Sequence, residues 1–356
     1  MYGVIMAGGQ GSRLRPLTLT RPKPMVEVLG RPVIDFVKDA MIEAGIDNLI
    51  VTTGYRGEQL RKHVSNWPMQ SMKTHSRKIS ARINQEDSPM GTAGSVRLLG
   101  DLLTETFVVG SGDSVASFDI SGLLAAHKQS GAKVTMALWE VEDPSDFGIV
   151  GLSAAHNGEL DGDLREGYIS RFKEKPSPEE AFSNVINAGL YIIEPEVLAL
   201  VPLGEKFDFS KQLFPLVLEM NWPMYAKTID GVWFDVGNPM ELLNAQSTLV
   251  ERMHELPFPM PKGSVLPGNG FCMADAVILG DVVSSVIYSN CYIEENVKIS
   301  DSLLMSGCKV GQDSTITHSV VGQNVVNGNG AKLHNVVIGD NCEIAAETNI
   351  SDQKIH

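Results

Sequence analysis

The chain has 356 residues, of which 43% are hydrophobic, and a formal net charge of −14; this length allows two domains with substantial cores. The acidic balance argues against a general nucleic-acid or anionic-membrane binder, and no apolar run approaches the roughly 20 residues of a membrane span. Four cysteines suggest no disulfide framework, and the N-terminus lacks the basic region of a signal peptide, so we expect a reducing, cytoplasmic location without nucleic-acid or membrane partners.

The chain opens with a short apolar run, Val4 to Ala7, which predicts a buried strand that leads into the glycine-rich segment Gly8 to Gly11. Glycines allow tight turns and bring backbone N–H groups close to a ligand. Arg13 and Lys23 then add positive charge beside this loop. The loop is neither a Walker A sequence nor the dinucleotide fingerprint. A strand, a glycine loop and two cations nevertheless predict a site for a polyphosphate.

Strand and helix patterns alternate through the next part of the chain. The predicted strands are Val4–Ala7, Asn48–Thr53, Phe107–Val109 and Lys133–Trp139, and the predicted helices are Val33–Ala44, Glu58–Val64 and Ser121–Gln129. This alternation indicates an α/β, Rossmann-like fold with a mainly parallel sheet between helices. Ligands of such sheets bind at the carboxyl ends of the strands, where the loop after Ala7 and the turn at Asp113 both fall.

The pattern changes after a predicted helix over Glu241–Met253. The segment Leu256-Pro-Phe-Pro-Met-Pro-Lys-Gly263 cannot continue a helix, because its prolines and glycine break it. We therefore predict a first domain over residues 1–253, a proline-rich linker over 254–262 and a second domain over 263–356.

The second domain contains an internal repeat of 17 residues, whose units start at Ser285, Ser302, Ser319 and Val336. Inside each unit an aliphatic residue recurs every six positions, with Asn327 as the exception. A helix would show spacings of three and four, so this pattern excludes a helix and predicts a solenoid whose coils stack equivalent positions into columns.

Two of these columns have a predicted structural role. One column is expected to form a corner of the coil, since Asn and Gly tolerate left-handed backbone geometry; it contains Asn290, Gly307, Asn324 and Asn341. The other column carries three cysteines and a valine, and we expect a small apolar role for it rather than metal binding; it contains Cys291, Cys308, Val325 and Cys342.

The segment from Gly8 to Pro24 resembles the signature of the sugar-1-phosphate nucleotidyltransferases, and the repeat resembles the hexapeptide repeats that form a left-handed parallel β-helix. The resemblance implies transfer of a nucleotidyl group from a nucleoside triphosphate to a sugar 1-phosphate, with release of pyrophosphate. It implies a nucleotide site made of Ala7, Gly8, Gly9, Gly11, Ser12, Arg13, Lys23, Glu86, Gly91, Thr92 and Asp113.

Because the sugar phosphate is itself the nucleophile, this reaction needs cations and a metal rather than a covalent intermediate. By resemblance, Arg13 and Lys23 are catalytic cations, and Asp113 and Asp235 are catalytic carboxylates that hold Mg²⁺. One or two carboxylates are the usual protein ligands of Mg²⁺. A lone Asp after a strand more often forms a turn or a helix cap, but here two such residues occur in two matching contexts.

The resemblance also implies a sugar-phosphate site. The motif Lys173-Glu174-Lys175-Pro176 places Glu174 on sugar hydroxyls and Lys175 on the sugar phosphate. Asn187, in Asn-Ala-Gly, would bond a sugar hydroxyl, and Gly148 would let the backbone approach the sugar. Without the resemblance, the charged motif is more typical of a surface turn that ends at a proline.

The base is expected to be recognised by the segment from Asn84 to Gly94. Members of the family that use guanosine triphosphate tend to carry Glu three residues before the proline, and Glu86 stands there. A carboxylate only accepts hydrogen bonds, which suits the two donors on one edge of guanine. The motif from Gly91 to Gly94 also resembles members that take mannose 1-phosphate. Gln85 is adjacent, and recognition by Gln85 would instead favour thymidine or uridine triphosphate with glucose 1-phosphate.

Two further functions compete with this prediction. One is a non-catalytic regulatory subunit on the same two domains, and the survival of the cations and aspartates argues against it. The other adds an acyltransferase activity in the β-helix, for which His318 and His334 are the candidate bases, although the solenoid is short. We expect instead that the β-helix supports a homo-oligomer or a regulatory role, and that a chain without residues 263–356 still folds.

Overall fold

The structure is a computed structural model that describes residues 1–54, 57–256 and 258–356. The chain divides into two compact units: unit 1 contains residues 1–9 and 34–233, and unit 2 contains residues 10–33 and 234–356. The predicted domain boundaries at 253 and 263 stay a prediction, and Pro257 of the predicted linker lies outside the described residues.

Unit 1 is built on a nine-stranded sheet. Its strands in chain order are β1 (Tyr2–Met6), β2 (Asn48–Thr53), β3 (Ser80–Gln85), β4 (Phe107–Ser111), β5 (Val134–Glu140), β6 (Gly148–Ser153), β7 (Glu166–Glu174), β8 (Val185–Ile193) and β9 (Met224–Thr228). Their order across the sheet is β3-β2-β1-β4-β8-β5-β9-β7-β6. Strands β1 to β4 are mutually parallel, β5 pairs in parallel with β9, and β8 and β7 run antiparallel to their neighbours.

Helices and short elements connect these strands. The helices of unit 1 are α1 (Ile34–Glu43), α2 (Gly57–Ser65), α3 (Trp67–Thr74), α4 (Gly91–Arg97), α5 (Ile120–Ser130), α6 (Pro195–Leu198) and α7 (Phe214–Glu219), with a π-helical turn at Phe209–Leu213 and a short strand at Ser114–Ala116. Central strand residues such as Val4, Phe107 and Met136 are fully buried. Apolar side chains of α4, α6 and α7 pack in the same core, which explains why the short apolar runs of β1 and β4 form strands.

The predicted α/β class with a mainly parallel sheet is confirmed. The predicted strand over Asn48–Thr53 has those bounds in the structure, and the ends of the other predicted elements shift by at most two residues. The sequence patterns did not predict strands β3, β6, β7, β8 and β9; of these, β6, β7 and β8 follow β5 along the chain with no described helix between them. Two of them, β7 and β8, are the antiparallel ones.

Unit 2 contains α8 (Pro239–Glu251), the short hairpin Glu27–Val28/Arg31–Pro32 and a parallel β-helix. Successive coils pair in parallel with the 17-residue offset, for example Val286 with Leu303 and Leu303 with Val320. The first sheet contains Gly263–Leu266, Gly270–Met273, Val286–Ile287, Leu303–Leu304, Val320–Val321, Val337–Ile338 and Lys354–Ile355. The second contains Val277–Ile278, Tyr292–Ile293, Lys309–Val310, Val326–Asn327 and Glu343–Ile344. The third contains Asp281–Val283, Lys298–Ser300, Thr315–Thr317, Lys332–His334 and Asn349–Ser351.

The column that was predicted to form a corner of the coil has left-handed backbone geometry: φ is 58° at Asn290, 81° at Gly307, 56° at Asn324 and 60° at Asn341. Two further columns also have positive φ and were not predicted, because Ser284, His318 and Glu347 interrupt their Asn, Asp and Gly pattern. One contains Asn296, Asp313, Gly330 and Glu347, and the other contains Ser284, Asp301, His318, Asn335 and Asp352.

Cys291, Cys308 and Val325 are almost fully buried at equivalent positions, and all four cysteines are free thiols. This agrees with an apolar column. Across the described residues, no helix has both the length and the apolar character that crossing a membrane requires.

Candidate active site

The carboxyl ends of β1, β2, β3 and β4 meet at one edge of the sheet in unit 1. Met6 pairs with Thr52 on one side and with Ser111 on the other. The N–H of Gly112 donates to the Met6 carbonyl at 2.9 Å. This register brings the start of the glycine loop, Ala7 to Gly9, to the same edge as Glu86 and Asp113, which follow β3 and β4 directly.

Glu86 lies beside the glycine loop. A Cβ atom placed on Gly8 would be 3.7 Å from Oε1 of Glu86. The Glu86 carboxylate also accepts the N–H of Met90 at 3.0 Å and the hydroxyl of Ser95, so it closes its own loop while one oxygen faces Gly8. Gln85 is exposed and accepts from Arg61 at 3.2 Å. Of the two candidate base readers, the half-buried Glu86 thus lies beside the glycine loop, and Gln85 contacts Arg61.

The two glycines of the Gly91-Thr-Ala-Gly94 motif have a packing reason to be glycine. A Cβ atom on Gly91 would lie 2.6 Å from the Phe207 carbonyl oxygen, and one on Gly94 would lie 2.7 Å from the Glu205 carbonyl oxygen. Thr92 is held by the same segment, since its hydroxyl accepts the N–H of Phe209 at 2.9 Å. The motif therefore fixes residues 205–209 against α4, and a nucleotide contact at Gly91 and Thr92 stays a prediction.

Glu174 and Gly148 face each other at the ends of β7 and β6, where they are paired in the sheet. A Cβ atom on Gly148 would come within 2.8 Å of Oε2 of Glu174, so the carboxylate lies directly over the glycine. Burial raises the pKa of Glu174 above its ordinary value, the cations of Lys175 and Lys211 counteract this, and Asp208 adds to it. Lys175 itself is exposed and adopts a φ of 47°.

Asn187 belongs to a polar group at a bulge of β8. Its amide donates to the Tyr191 hydroxyl at 2.9 Å and to the Ser210 hydroxyl at 3.3 Å, and its carbonyl accepts the N–H of Gly189 at 2.9 Å. Sequence reasoning missed Ser210 and Lys211. They lie on the π-helical turn, and no motif marks this turn in the sequence.

In unit 2, Arg13 and Lys23 converge on Asp235. Nζ of Lys23 lies 3.1 Å from Oδ1 of Asp235, and Nη2 of Arg13 lies 4.0 Å from Oδ2. The Lys23 side chain is 11% exposed, whereas that of Arg13 is 58% exposed. Gly11 has a φ of 62°, and a Cβ atom there would lie 2.8 Å from Cβ of Lys23. Its lack of a side chain therefore lets the turn at Ser12–Leu14 fold close to Lys23.

Glu241 is a third charged neighbour of Asp235, and the sequence analysis missed it. Its carboxylate accepts the N–H groups of Gly237 and Asn238 at 2.9 and 3.0 Å, and the Asn238 side chain accepts the N–H of Glu241 in return. This capping box begins α8. The sequence Asn238-Pro-Met-Glu241 is typical of such a helix start and could have predicted it. Burial raises the pKa of Glu241, and the charge of Asp235 raises it further.

The two predicted metal ligands, Asp113 and Asp235, belong to different units. Asp113 is half-buried and accepts the Ser111 hydroxyl, and the Asp235 side chain is 25% exposed. Both offer partly accessible carboxylate oxygens, the hard donors that Mg²⁺ takes. Within residues 1–54, 57–256 and 258–356, no three His, Cys, Asp or Glu side chains group as a metal cage. Metal binding by these two aspartates stays a prediction.

Comparison with known proteins finds two family models along the chain. The nucleotidyl transferase model matches residues 2–252, and the GMPPB C-terminal domain model matches residues 267–356. The catalytic subunit beta of mannose-1-phosphate guanylyltransferase from Danio rerio is 30% identical, and the match covers 100% of this chain and 95% of that protein. Mannose-1-phosphate guanyltransferases from Debaryomyces hansenii and Gibberella zeae are 32% and 30% identical, over 100% and 98% of this chain and 95% and 93% of theirs.

Proposed function

The chain belongs to the nucleotidyl transferase family, and we propose that it transfers a guanylyl group from GTP to mannose 1-phosphate. The products are GDP-mannose and pyrophosphate. The names of the similar proteins support the substrate pair. The single observation that supports the chemistry best is the meeting of Lys23, Arg13 and Asp235 around the glycine-rich turn. This is a charge arrangement that suits a polyphosphate.

The nucleotide half of the proposed reaction uses backbone donors and cations. We propose that N–H groups of Ala7, Gly8, Gly9, Gly11 and Ser12 bind triphosphate oxygens, since anions bind well to concave runs of backbone N–H groups. An oxygen of the sugar phosphate attacks the α-phosphorus, the bond to the bridging β-oxygen breaks in line, and pyrophosphate leaves. Arg13 and Lys23 stabilise the charge that develops on these oxygens.

Asp113 and Asp235 are the residues that would hold Mg²⁺. The ion supplies charge neutralisation and alignment of the phosphates when it is bound. The ion pair of Asp235 with Lys23 orients that carboxylate. Lys23 then also fixes the position of a proposed ligand, besides contacting the nucleotide.

The sugar half is proposed to lie around Glu174. Glu174 and Asn187 bind sugar hydroxyls, Gly148 gives the sugar room over the backbone, and Lys175 binds the phosphate. Lys211 joins this proposal, because its charge acts on Glu174 together with that of Lys175. A half-buried carboxylate that feels the charges of two cations suits a ligand that carries both hydroxyls and a phosphate.

Three further properties are part of the proposal. Residues 1–253 form the catalytic region and residues 263–356 the β-helix, joined by 254–262. We propose a homo-oligomer assembled through the β-helix, because a stacked solenoid presents flat sheets. We also propose a cytoplasmic location, which fits nucleotide-sugar synthesis and free thiols.

A two-way screen tests the function. The purified protein is incubated with each of GTP, ATP, UTP and dTTP against mannose 1-phosphate and glucose 1-phosphate, and pyrophosphate release is measured. We expect the highest kcat/KM for GTP with mannose 1-phosphate, and a Lys23→Ala variant provides the background. A preference for dTTP or UTP with glucose 1-phosphate would contradict the proposed substrate pair. No pyrophosphate release with any pair would favour a regulatory subunit.

A further inference from the structure

In unit 2, the segment from Pro16 to Gly30 contacts the β-helix at several points. Pro16 packs against Gly339, where a Cβ atom would lie 3.2 Å from Cβ of Pro16. Farther along, the Tyr288 hydroxyl donates to the Glu27 carbonyl at 3.0 Å. A Cβ atom on Gly30 would overlap Met273. Residues 16–30, which contain Lys23, therefore rest on successive coils of the solenoid, and we call them the docked segment.

Asp340 is the polar centre of this docking. Its carboxylate accepts the Thr20 hydroxyl, the Arg21 guanidinium and the backbone N–H of Gln323, the last at 2.8 Å. The side chains of Arg21 and Asp340 are only 10% and 4% exposed. An ion pair this buried depends on both partners, because removal of either charge leaves the other uncompensated.

A second polar contact lies next to this ion pair. The Gln323 side-chain amide donates to the Glu27 carboxylate at 3.2 Å. Asp340 thus faces one cation, Arg21, with the carboxylate of Glu27 as its acidic neighbour. Among the groups that these contacts bring together, Arg21 is the positive charge that balances the negative charge of Asp340.

Arg21 is separated from Lys23 by Pro22 alone, whose ring restricts the backbone at that position. The turn at Lys23–Met25 begins directly after it. A shift of Arg21 would therefore move Lys23 relative to Asp235, its partner at 3.1 Å. Small displacements of this kind matter, because a misplacement of about 1 Å in a positioned group can cost on the order of 100-fold in rate.

We propose that Asp340 of the β-helix is a positioning residue for nucleotidyl transfer, which fixes Arg21 and Thr20 so that Lys23 meets the triphosphate. This rests on the proposed function of Lys23. The solenoid then contributes to turnover without touching a substrate. It has this role in addition to any role in assembly.

The test compares Asp340→Asn with Asp301→Asn. The Asp340→Asn substitution keeps the size of the side chain and its ability to accept hydrogen bonds, but the amide cannot balance the charge of Arg21. Asp301 is an exposed aspartate at a corner of the same solenoid, so its substitution controls for loss of a β-helix carboxylate. For Asp340→Asn we expect kcat/KM for GTP to fall about 10-fold or more, while KM for mannose 1-phosphate changes less than about 2-fold. Asp301→Asn should match the wild type.

A double variant separates positioning from general damage. Arg21→Gln together with Asp340→Asn removes both charges, so its loss should be smaller than the product of the two single losses. The folded fraction is measured by circular dichroism at the assay temperature. If kcat/KM fell equally for both substrates and in proportion to the folded fraction, Asp340 would have only a structural role and the proposal would be overturned.

A readout without substrate keeps this inference separate from the proposed function. In Asp340→Asn, amide hydrogen–deuterium exchange should be faster than in the wild type over residues 10–33. It should be unchanged in the coils of the β-helix that do not contain residue 340. Unchanged exchange in residues 10–33 would overturn the positioning role whatever the activity shows. Faster exchange in a protein that releases no pyrophosphate would instead contradict the proposed function and leave the docking intact.

Discussion

The two units place their proposed active-site residues by different means. In unit 1, Glu86 and Asp113 follow two strands of one sheet, and the register of β1 to β4 brings them to the same edge. In unit 2 no strand of the solenoid carries a proposed catalytic residue. The solenoid instead supports residues 16–30 through buried polar contacts such as Arg21–Asp340. The difference shows that part of the most recognisable motif of the sequence contacts the region farthest from it along the chain.

The largest test of this comparison is removal of residues 263–356. Two successive domains would predict a chain that still folds and works. The structure leads us to expect the opposite, because the truncation removes Asp340, Gln323, Tyr288 and Met273 from beneath the docked segment. A buried ion pair that loses one partner costs about 3–5 kcal/mol, a large share of a typical stability of about 5–15 kcal/mol.

We therefore expect pyrophosphate release by the truncated protein to be undetectable and its thermal unfolding to begin earlier. The measurement is turnover beside circular dichroism, with residues 263–356 supplied as a separate chain as the control. A truncated protein that keeps a tenth of the wild-type kcat would show that unit 2 does not need its solenoid.

The sequence predicts repetition well and long-range docking poorly. The strand over residues 48–53 and the corner column at Asn290 follow from local patterns, since periodicity records which side chains face a core. The pairing of Arg21 with Asp340, 319 residues apart, leaves no periodic trace. The packing reason for Gly91 likewise becomes visible only once residues 205–209 lie against it.

The next test compares the effect of removing one proposed catalytic carboxylate from each unit. Asp113→Asn in unit 1 and Asp235→Asn in unit 2 each remove a charge without changing size, so we expect kcat to fall about 100-fold or more in both. Asp235→Asn should also raise KM for GTP, because Lys23 loses its partner. Initial rates across a Mg²⁺ titration measure this, with the exposed Asp275→Asn as control. Near-normal rates for both variants at saturating Mg²⁺ would contradict the proposal that the two aspartates hold the metal.

Base selectivity tests unit 1 alone. Glu86→Gln replaces an acceptor by a group that both donates and accepts. It should forfeit one guanine bond and relieve the repulsion of a pyrimidine carbonyl. The ratio of kcat/KM for GTP to that for dTTP should then fall about 10- to 100-fold, or about 1.4–2.8 kcal/mol. Gln85→Ala is the matched control. A shift in Gln85→Ala with none in Glu86→Gln would make Gln85 the reader.

The smallest effect is expected inside the solenoid, where two buried columns differ in what they contribute. Oγ of Ser302 accepts the N–H of Ser319 at 3.1 Å and donates to the Ser300 carbonyl at 2.7 Å. Ser302→Ala leaves a buried N–H without its acceptor, so the free energy of unfolding should fall about 1–3 kcal/mol.

Cys308 contributes mainly volume. It is fully buried, its thiol donates to the Gly322 carbonyl at 3.0 Å, and the equivalent position one coil later is already Val325. A thiol is a weak donor, and a near-isosteric apolar replacement usually costs less than about 1.5 kcal/mol. Cys308→Val should therefore unfold in urea near the wild-type midpoint and keep full pyrophosphate release, while Ser302→Ala unfolds earlier. If Cys308→Val lowered the urea midpoint more than Ser302→Ala does, the thiol would contribute an interaction that valine cannot replace.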